Sequence, residues 1–157
     1  MSMFKDKIRS PFTTTDDLAI ELGFKNYSEL SSLIYKNHPR RYTSFVLKKK
    51  SGGERKITVP KATLKSVQRK ISGELSSIYR PHRSCHGFIA NRSIVTNAKS
   101  HTSKRFVFNI DIKDFFDSIH FGRVRNLFLK EPFNLSHEVA TVIAHICCYN
   151  NVLPQGA

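Results

Sequence analysis

The stretch "RFVFNIDIKDFFDSI", Arg105 to Ile119, constrains the fold of this chain more than any other. Apolar residues dominate from Phe106 to Ile112, a density that predicts a central strand covered on at least one face. Asp111 stands where that strand should end, and Asp114 and Asp117 follow at helical spacing. A carboxylate in such a place is costly unless something pairs with it. Either the three aspartates cap and solvate a helix start, or at least one of them holds a metal. Near a helix N-terminus a carboxylate gains roughly 0.3 to 1 kcal/mol with no metal at all. Capping and dipole pairing therefore account for Asp114 and Asp117, and Asp111 remains the metal candidate. Metal-dependent phosphoryl transfer needs such a carboxylate on a rigid element, where Mg²⁺ selects hard oxygen ligands. One aspartate does not hold two ions.

The rest of the chain punctuates itself clearly. Thr13-Thr14-Thr15-Asp16-Asp17 precedes Leu18, Ile20 and Leu22, and Gly23 follows, so a short helix capped at both ends is predicted. A second helix starts near Asn26 or Ser28, with Leu30, Leu33 and Ile34 on one face, and "NHPRR" ends it at Pro39. This pair reads as packing on the next domain in preference to a helix-turn-helix DNA reader. "YTSFVLKKKSGGERKITVP" alternates in period two around Gly52-Gly53 and predicts a hairpin. Lys48, Lys49, Lys50, Arg55 and Lys56 crowd its tip, as in a mobile basic flap over phosphates. A charged hairpin that avoids edge aggregation is the plainer reading.

Leu64, Val67, Ile71, Leu75 and Ile78 recur at spacings of three and four, an amphipathic helix interrupted only by Gly73. Lys61, Lys65, Arg69 and Lys70 on its polar face would track a phosphate backbone or simply be solvated. A long basic connection then carries His82, Arg83, His86, Arg92 and His101, spaced unlike any zinc site. Val124, Leu127 and Phe128 mark one further helix, and Ser136 to Cys148 another, with Val139, Val142, Ile143, Ile146 and Cys147 as its stripe.

With 157 residues, 39% of them hydrophobic and 24% charged, the chain is long enough for one domain with a real core. Its 26 Lys and Arg against 12 Asp and Glu give a net charge of +14, spread through the chain. Such a surface attracts polyanions, of which nucleic acid is the commonest. No apolar run approaches a membrane span, and Met1 to Pro11 lacks the apolar core of a signal peptide, so a cytoplasmic protein without a membrane partner is expected. Cys85, Cys147 and Cys148 show no CxxC spacing and read as small buried hydrophobes in a reducing compartment.

Four segments in order, "FVLKKKSGGERKITVP", "HGFIANRSIVTNAKSH", "FNIDIKDFFDSI" and "CCYNNVLPQGA", resemble the first half of a bacterial reverse transcriptase. "NAKSH", Asn97 to His101, matches the Asn-Ala-x-x-His signature of the retron branch and favours it over group II intron relatives. The resemblance implies an α+β right-hand polymerase, truncated: a helical lead-in over residues 1–40, fingers over 41–104, and the start of the palm over 105–157. Asp111 would be the first metal-binding aspartate, with the Ile112 carbonyl as a further ligand of a two-Mg²⁺ site. Lys49 and Arg55 would grip the triphosphate, with Lys48 and Lys50 as alternatives to Lys49. Phe116 would lie under the incoming sugar and reject a 2′-hydroxyl, and Gln155 would contact the nucleotide. Lys65, Arg69, Arg92, Asn97 and His101 would contact RNA.

The partners so implied are a structured noncoding RNA serving as template and primer, dNTPs, the RNA–DNA hybrid and an effector protein. The product would be branched RNA-linked DNA that serves phage defence. The family's Tyr-x-Asp-Asp pair, the rest of its palm and its thumb are not in this sequence, so this chain alone is expected to be inactive and marginally stable. A non-catalytic basic RNA-binding module, or a group II intron type enzyme, is the alternative.

Overall fold

The computed structural model describes residues 12–36, 40–48, 50 and 52–155. They form two compact units, Met1–Ile78 together with Asp114–Ala157, and Tyr79–Lys113. In the first, the hydroxyl and acid run does what its pattern predicts. Helix α1, Thr15–Glu21, opens on a capping box in which Thr14 Oγ1 accepts from the Asp17 amide at 3.1 Å and the Asp17 carboxylate accepts from the Thr14 amide at 2.9 Å. Gly23 closes it with φ of +91°. The Lys70 Nζ donates to the Leu22 carbonyl at 2.9 Å beside it. Helix α2, Tyr27–Ser31, is capped by Asn26 and runs into a π-helical turn, Ser32–Lys36.

Strands β1, Tyr42–Lys48, and β2, Glu54–Pro60, pair antiparallel, Tyr42 against Pro60 and Lys48 against Glu54. Ser44 and Thr58 hydroxyls share a cross-strand hydrogen bond of 2.9 Å. Burial falls off along the arms. Tyr42 and Pro60 at the base are buried, whereas Phe45, Val46 and Leu47 are each about half exposed. Helix α3, Ala62–Ile78, buries Leu64, Val67, Ile71 and Ile78 and passes through Gly73 unbroken.

Helix α5, Phe121–Leu129, and helix α6, His137–Cys147, complete this unit. Ser136 caps α6, whose Val139, Ala140, Val142, Ile143, Ala144 and Ile146 are all buried. Each large apolar side chain so enclosed contributes about 1.5 to 3 kcal/mol. They join Leu18, Leu30, Ile34 and the buried face of α3 in one core.

Two expectations fail between residues 105 and 120. Phe106 to Ile112 lies in no strand ladder, and Phe106, Phe108 and Ile110 are about 80% exposed. A strand apolar on both faces needs hydrogen-bonding neighbours at its edges. Among the described residues the one sheet is β1–β2. Nor does a helix begin beside Asp114. That residue has φ of +50°, a left-handed backbone that breaks helical continuation, and residues 113–118 form turns in which the Ser118 amide bonds the Asp114 carbonyl at 3.0 Å. Helix α5 starts only at Phe121, with His120 at its N-cap position and no side-chain cap hydrogen bond, so the capping role for Asp114 and Asp117 falls.

The unit Tyr79–Lys113 holds one short helix, α4, Ile94–Lys99, opened by a Ser93–Thr96 capping box. Its long connection is knit together by Arg92, whose Nη1 donates to the His82, Arg83 and Cys85 carbonyls. His86 Nδ1 and Thr96 Oγ1 lie 2.9 Å apart in a further hydrogen bond. Cys85 is exposed, against expectation, because the loop that carries it has no core of its own to enter.

Candidate functional site

At the hairpin tip, Gly52 and Gly53 both take φ of +86°, and a Cβ on either would meet nothing within 4 Å. The turn conformation, and not crowding, demands glycine there. Lys48, Lys50, Arg55 and Lys56 are exposed around it. Register sorts them. Lys48 pairs with Glu54 and Arg55 with Leu47, so Lys48 and Arg55 project from opposite faces of the ribbon. Lys49 lies outside the described residues.

The segment after α6 is organised by a turn. Asn150 and Asn151 have φ of +51° and +63°, and the Tyr149 amide bonds the Val152 carbonyl at 2.9 Å. Two successive left-handed residues form a tight two-residue reversal, for which asparagine is among the most tolerant side chains. Val152 then bridges His120, the Phe121 amide donates to the Asn151 carbonyl at 2.9 Å, and the Leu153 amide to the Ile119 carbonyl at 2.9 Å. These bonds join the chain just after Phe116 to the chain just before Gln155 in a short antiparallel pairing. Phe116 is half-buried, its ring edge-on to Phe115 at 5.4 Å, and Gln155 is exposed beyond a buried Pro154.

Asp111 and Ile112 are exposed and belong to the other unit, where Asp111 is the single carboxylate between residues 79 and 113. Its oxygens and the Ile112 carbonyl are of the hard type that Mg²⁺ takes. The donor set is nevertheless incomplete. Among the described residues no three His, Cys, Asp or Glu side chains group as metal ligands. Asn97 and His101 are exposed on and just after α4, while Arg92 commits one nitrogen to its own loop. Lys65 and Arg69 stand on the exposed face of α3, whereas Lys70 is spent on the end of α1.

Arg41 escaped sequence reasoning altogether. Only 2% exposed, it donates from Nη1 to the His145 carbonyl at 3.0 Å, and its Nε and Nη2 are buried without partners among the described residues. Gln68 Nε2 donates to the Ile146 carbonyl at 2.9 Å and to the Tyr42 hydroxyl at 3.2 Å. The last carbonyls of α6 are therefore capped by side chains remote in sequence. Burial pushes the Arg41 guanidinium down and the Tyr42 phenol up to about 12. It also raises the Cys147 thiol to about 12 and that of Cys148 to about 11, as inert interior cysteines require.

Comparison with known proteins adds an independent line. Residues 47–157 match the family model of reverse transcriptase (RNA-dependent DNA polymerase). The chain is 37% identical over 136 residues to the retron Mx65 reverse transcriptase of Myxococcus xanthus, covering 83% of this chain and 31% of that protein. To the retron Ec86 reverse transcriptase of Escherichia coli it is 37% identical over 74% of this chain and 37% of the relative. To the retron Se72 reverse transcriptase of Salmonella heidelberg it is 33% identical over 94% of this chain and 38% of the relative. The chain thus spans about a third of the length of these curated relatives.

Proposed function

The chain belongs to the reverse transcriptase (RNA-dependent DNA polymerase) family, among the retron reverse transcriptases, and from that premise we propose that it supplies the fingers and the opening of the palm of an enzyme copying a structured RNA into DNA. A primer hydroxyl attacks the α-phosphate of a dNTP, forming the new P–O bond as pyrophosphate leaves. Arg55 and Lys49 bind the triphosphate, Phe116 sits against the sugar and excludes a 2′-hydroxyl, and Gln155 contacts the nucleotide. The observation that most supports this reading is the Ile119–Leu153 ladder, which sets the Phe116 and Gln155 segments beside each other within one unit.

Asp111 and the Ile112 carbonyl contribute hard oxygens toward a two-Mg²⁺ site whose other carboxylates these residues do not supply. Mg²⁺ provides charge stabilisation for phosphoryl transfer once such a site is complete. Lys65, Arg69, Arg92, Asn97 and His101 contact the RNA template, the primer or the RNA–DNA hybrid, and the branched product acts with an effector protein in phage defence. No helix among the described residues is long and apolar enough to cross a membrane.

The test is cDNA synthesis by the full-length protein on its cognate RNA. Asp111→Asn should abolish synthesis and leave RNA binding largely intact; retained synthesis would reject the metal role. A second reading is a basic RNA-binding module without chemistry, which the excess of 26 Lys and Arg over 12 Asp and Glu also supports. That reading expects salt-dependent RNA binding, from counterion release, and no Mg²⁺-dependent synthesis.

A further inference from the structure

We infer that Arg41 is a positioning residue that ties the base of the basic hairpin to the exit of α6, and through it sets the place of the Gln155 segment relative to the hairpin arms. The inference rests on the polymerase reading above and deepens it. Arg41 immediately precedes β1, and its own carbonyl accepts from the Lys61 amide at 2.8 Å, one step beyond β2. The residue therefore belongs to the base of the hairpin, the end remote from the Gly52–Gly53 turn. Its guanidinium reaches the other way, to the His145 carbonyl in the last turn of α6. Tyr42, next to it, lies with its ring 4.6 Å from that of Tyr149, at the start of the asparagine turn.

Stability alone does not explain an arginine here. A guanidinium 2% exposed, with two nitrogens unpaired and no carboxylate bound among the described residues, carries a desolvation penalty that one hydrogen bond to a carbonyl does not offset. A methionine would fill much of the same volume without that penalty. What methionine cannot do is hold the carbonyl end of α6. Those carbonyls carry the negative end of the helix dipole, and a cation with a fixed donor geometry fixes their direction. Gln68 and Tyr42 complete the cap on the adjacent Ile146 carbonyl. From there the chain has few degrees of freedom: Cys148 is buried, Asn150 and Asn151 reverse it, and Leu153 is bonded to Ile119 before Gln155 emerges. Arg41 thus joins the base of the hairpin that carries Arg55 to the helix from which the Gln155 segment departs.

The experiment uses the full-length protein with its cognate RNA and compares Arg41→Met, Arg41→Lys, Gln155→Ala and the Arg41→Met/Gln155→Ala double variant. Steady-state dNTP incorporation and a thermal melt are read for each. Arg41→Met should fold with a melting temperature at or above that of the wild type. It should also raise the dNTP KM about ten-fold with a smaller change in kcat, the pattern of weakened nucleotide binding. Arg41→Lys, which keeps a cation for the His145 carbonyl, should recover part of the loss. The double variant should be less impaired than the product of the single effects, because both changes act on one segment.

An Arg41→Met enzyme with wild-type KM overturns the inference. So does one that fails to fold, or whose activity falls only in proportion to lost folded protein, since Arg41 would then be structural. If the wild-type protein makes no DNA, the polymerase reading fails first and this inference with it. Wild-type synthesis with an unaffected Arg41→Met removes the inference alone.

Discussion

The Leu153 amide donates to the Ile119 carbonyl at 2.9 Å, across a reversal made by Asn150 and Asn151. Thirty-four positions apart in sequence, the two residues anchor the chain that leads from Phe116 to the chain that leads to Gln155. The left-handed backbone at Asn151, φ +63°, is what makes the return tight enough. A β-branched residue there meets the steric cost of the left-handed region, about 1 to 2 kcal/mol, whereas glycine does not. Asn151→Val should therefore lower the urea midpoint while Asn151→Gly holds it, and equal midpoints for the two would refute the turn.

Nucleotide discrimination gives the next expectation. If Phe116 stands against the sugar, Phe116→Val in the full-length enzyme should admit rNTPs that the wild type rejects, with dNTP incorporation kept. Arg55→Ala should raise the dNTP KM by about ten-fold, equivalent to about 1.4 kcal/mol. Primer extension with dNTP and rNTP mixtures measures both, and unchanged sugar selectivity in Phe116→Val would remove that residue from the site.

The thiols separate by environment. Cys85 is exposed and Cys148 buried, so in the folded chain Cys85 should react with an aromatic disulfide reagent well before Cys148 or Cys147, and all three should react in denaturant. Burial also predicts an alkaline limit. Cys148 is raised from 9.0 to about 11 and Tyr42 from 10.0 to about 12. Because the unfolded state releases these protons first, their contribution is complete below pH 9.0 and is lost as pH rises toward about 12. Chemical melts from pH 8 to 12 should show that decline, with no matching loss just below pH 8.

The capping box at α1 sets a modest, local prediction. Thr14→Ala removes the oxygen that accepts from the Asp17 amide and should cost about 1 kcal/mol, read as a shift in midpoint without a change in slope. Thr14→Ser should recover most of it.

Phe106, Phe108, Ile110 and Ile112 are exposed in one contiguous run. Such a surface promotes association between copies of the 157-residue chain. Light scattering of that chain should rise with concentration, and Phe108→Lys should reduce it. Scattering as low as that of a well-behaved monomer, with a cooperative melt, would show that the run is covered.

Local physics was legible in the sequence. Thr14, Asn26 and Ser136 cap helices because a short polar side chain before an apolar repeat satisfies free amides within three residues, and no distant partner is needed. The stripes of α3 and α6 were readable because burial with a period near 3.6 leaves its mark residue by residue, and the Gly52–Gly53 reversal needs nothing beyond its own φ values. Tertiary structure decided whatever depends on a partner remote along the chain. Phe106 to Ile112 has the composition of a strand, but a strand exists only where another supplies its hydrogen bonds. Arg41 sits in a polar run beside a proline and would be read as solvated surface. Its burial against the His145 carbonyl, 104 residues away, follows only once the hairpin base has packed on the end of α6. The candidate site divides in the same way: its residue types were readable from motifs, whereas the approach of the Phe116 and Gln155 segments came from a backbone ladder, which leaves no signature in side-chain identity.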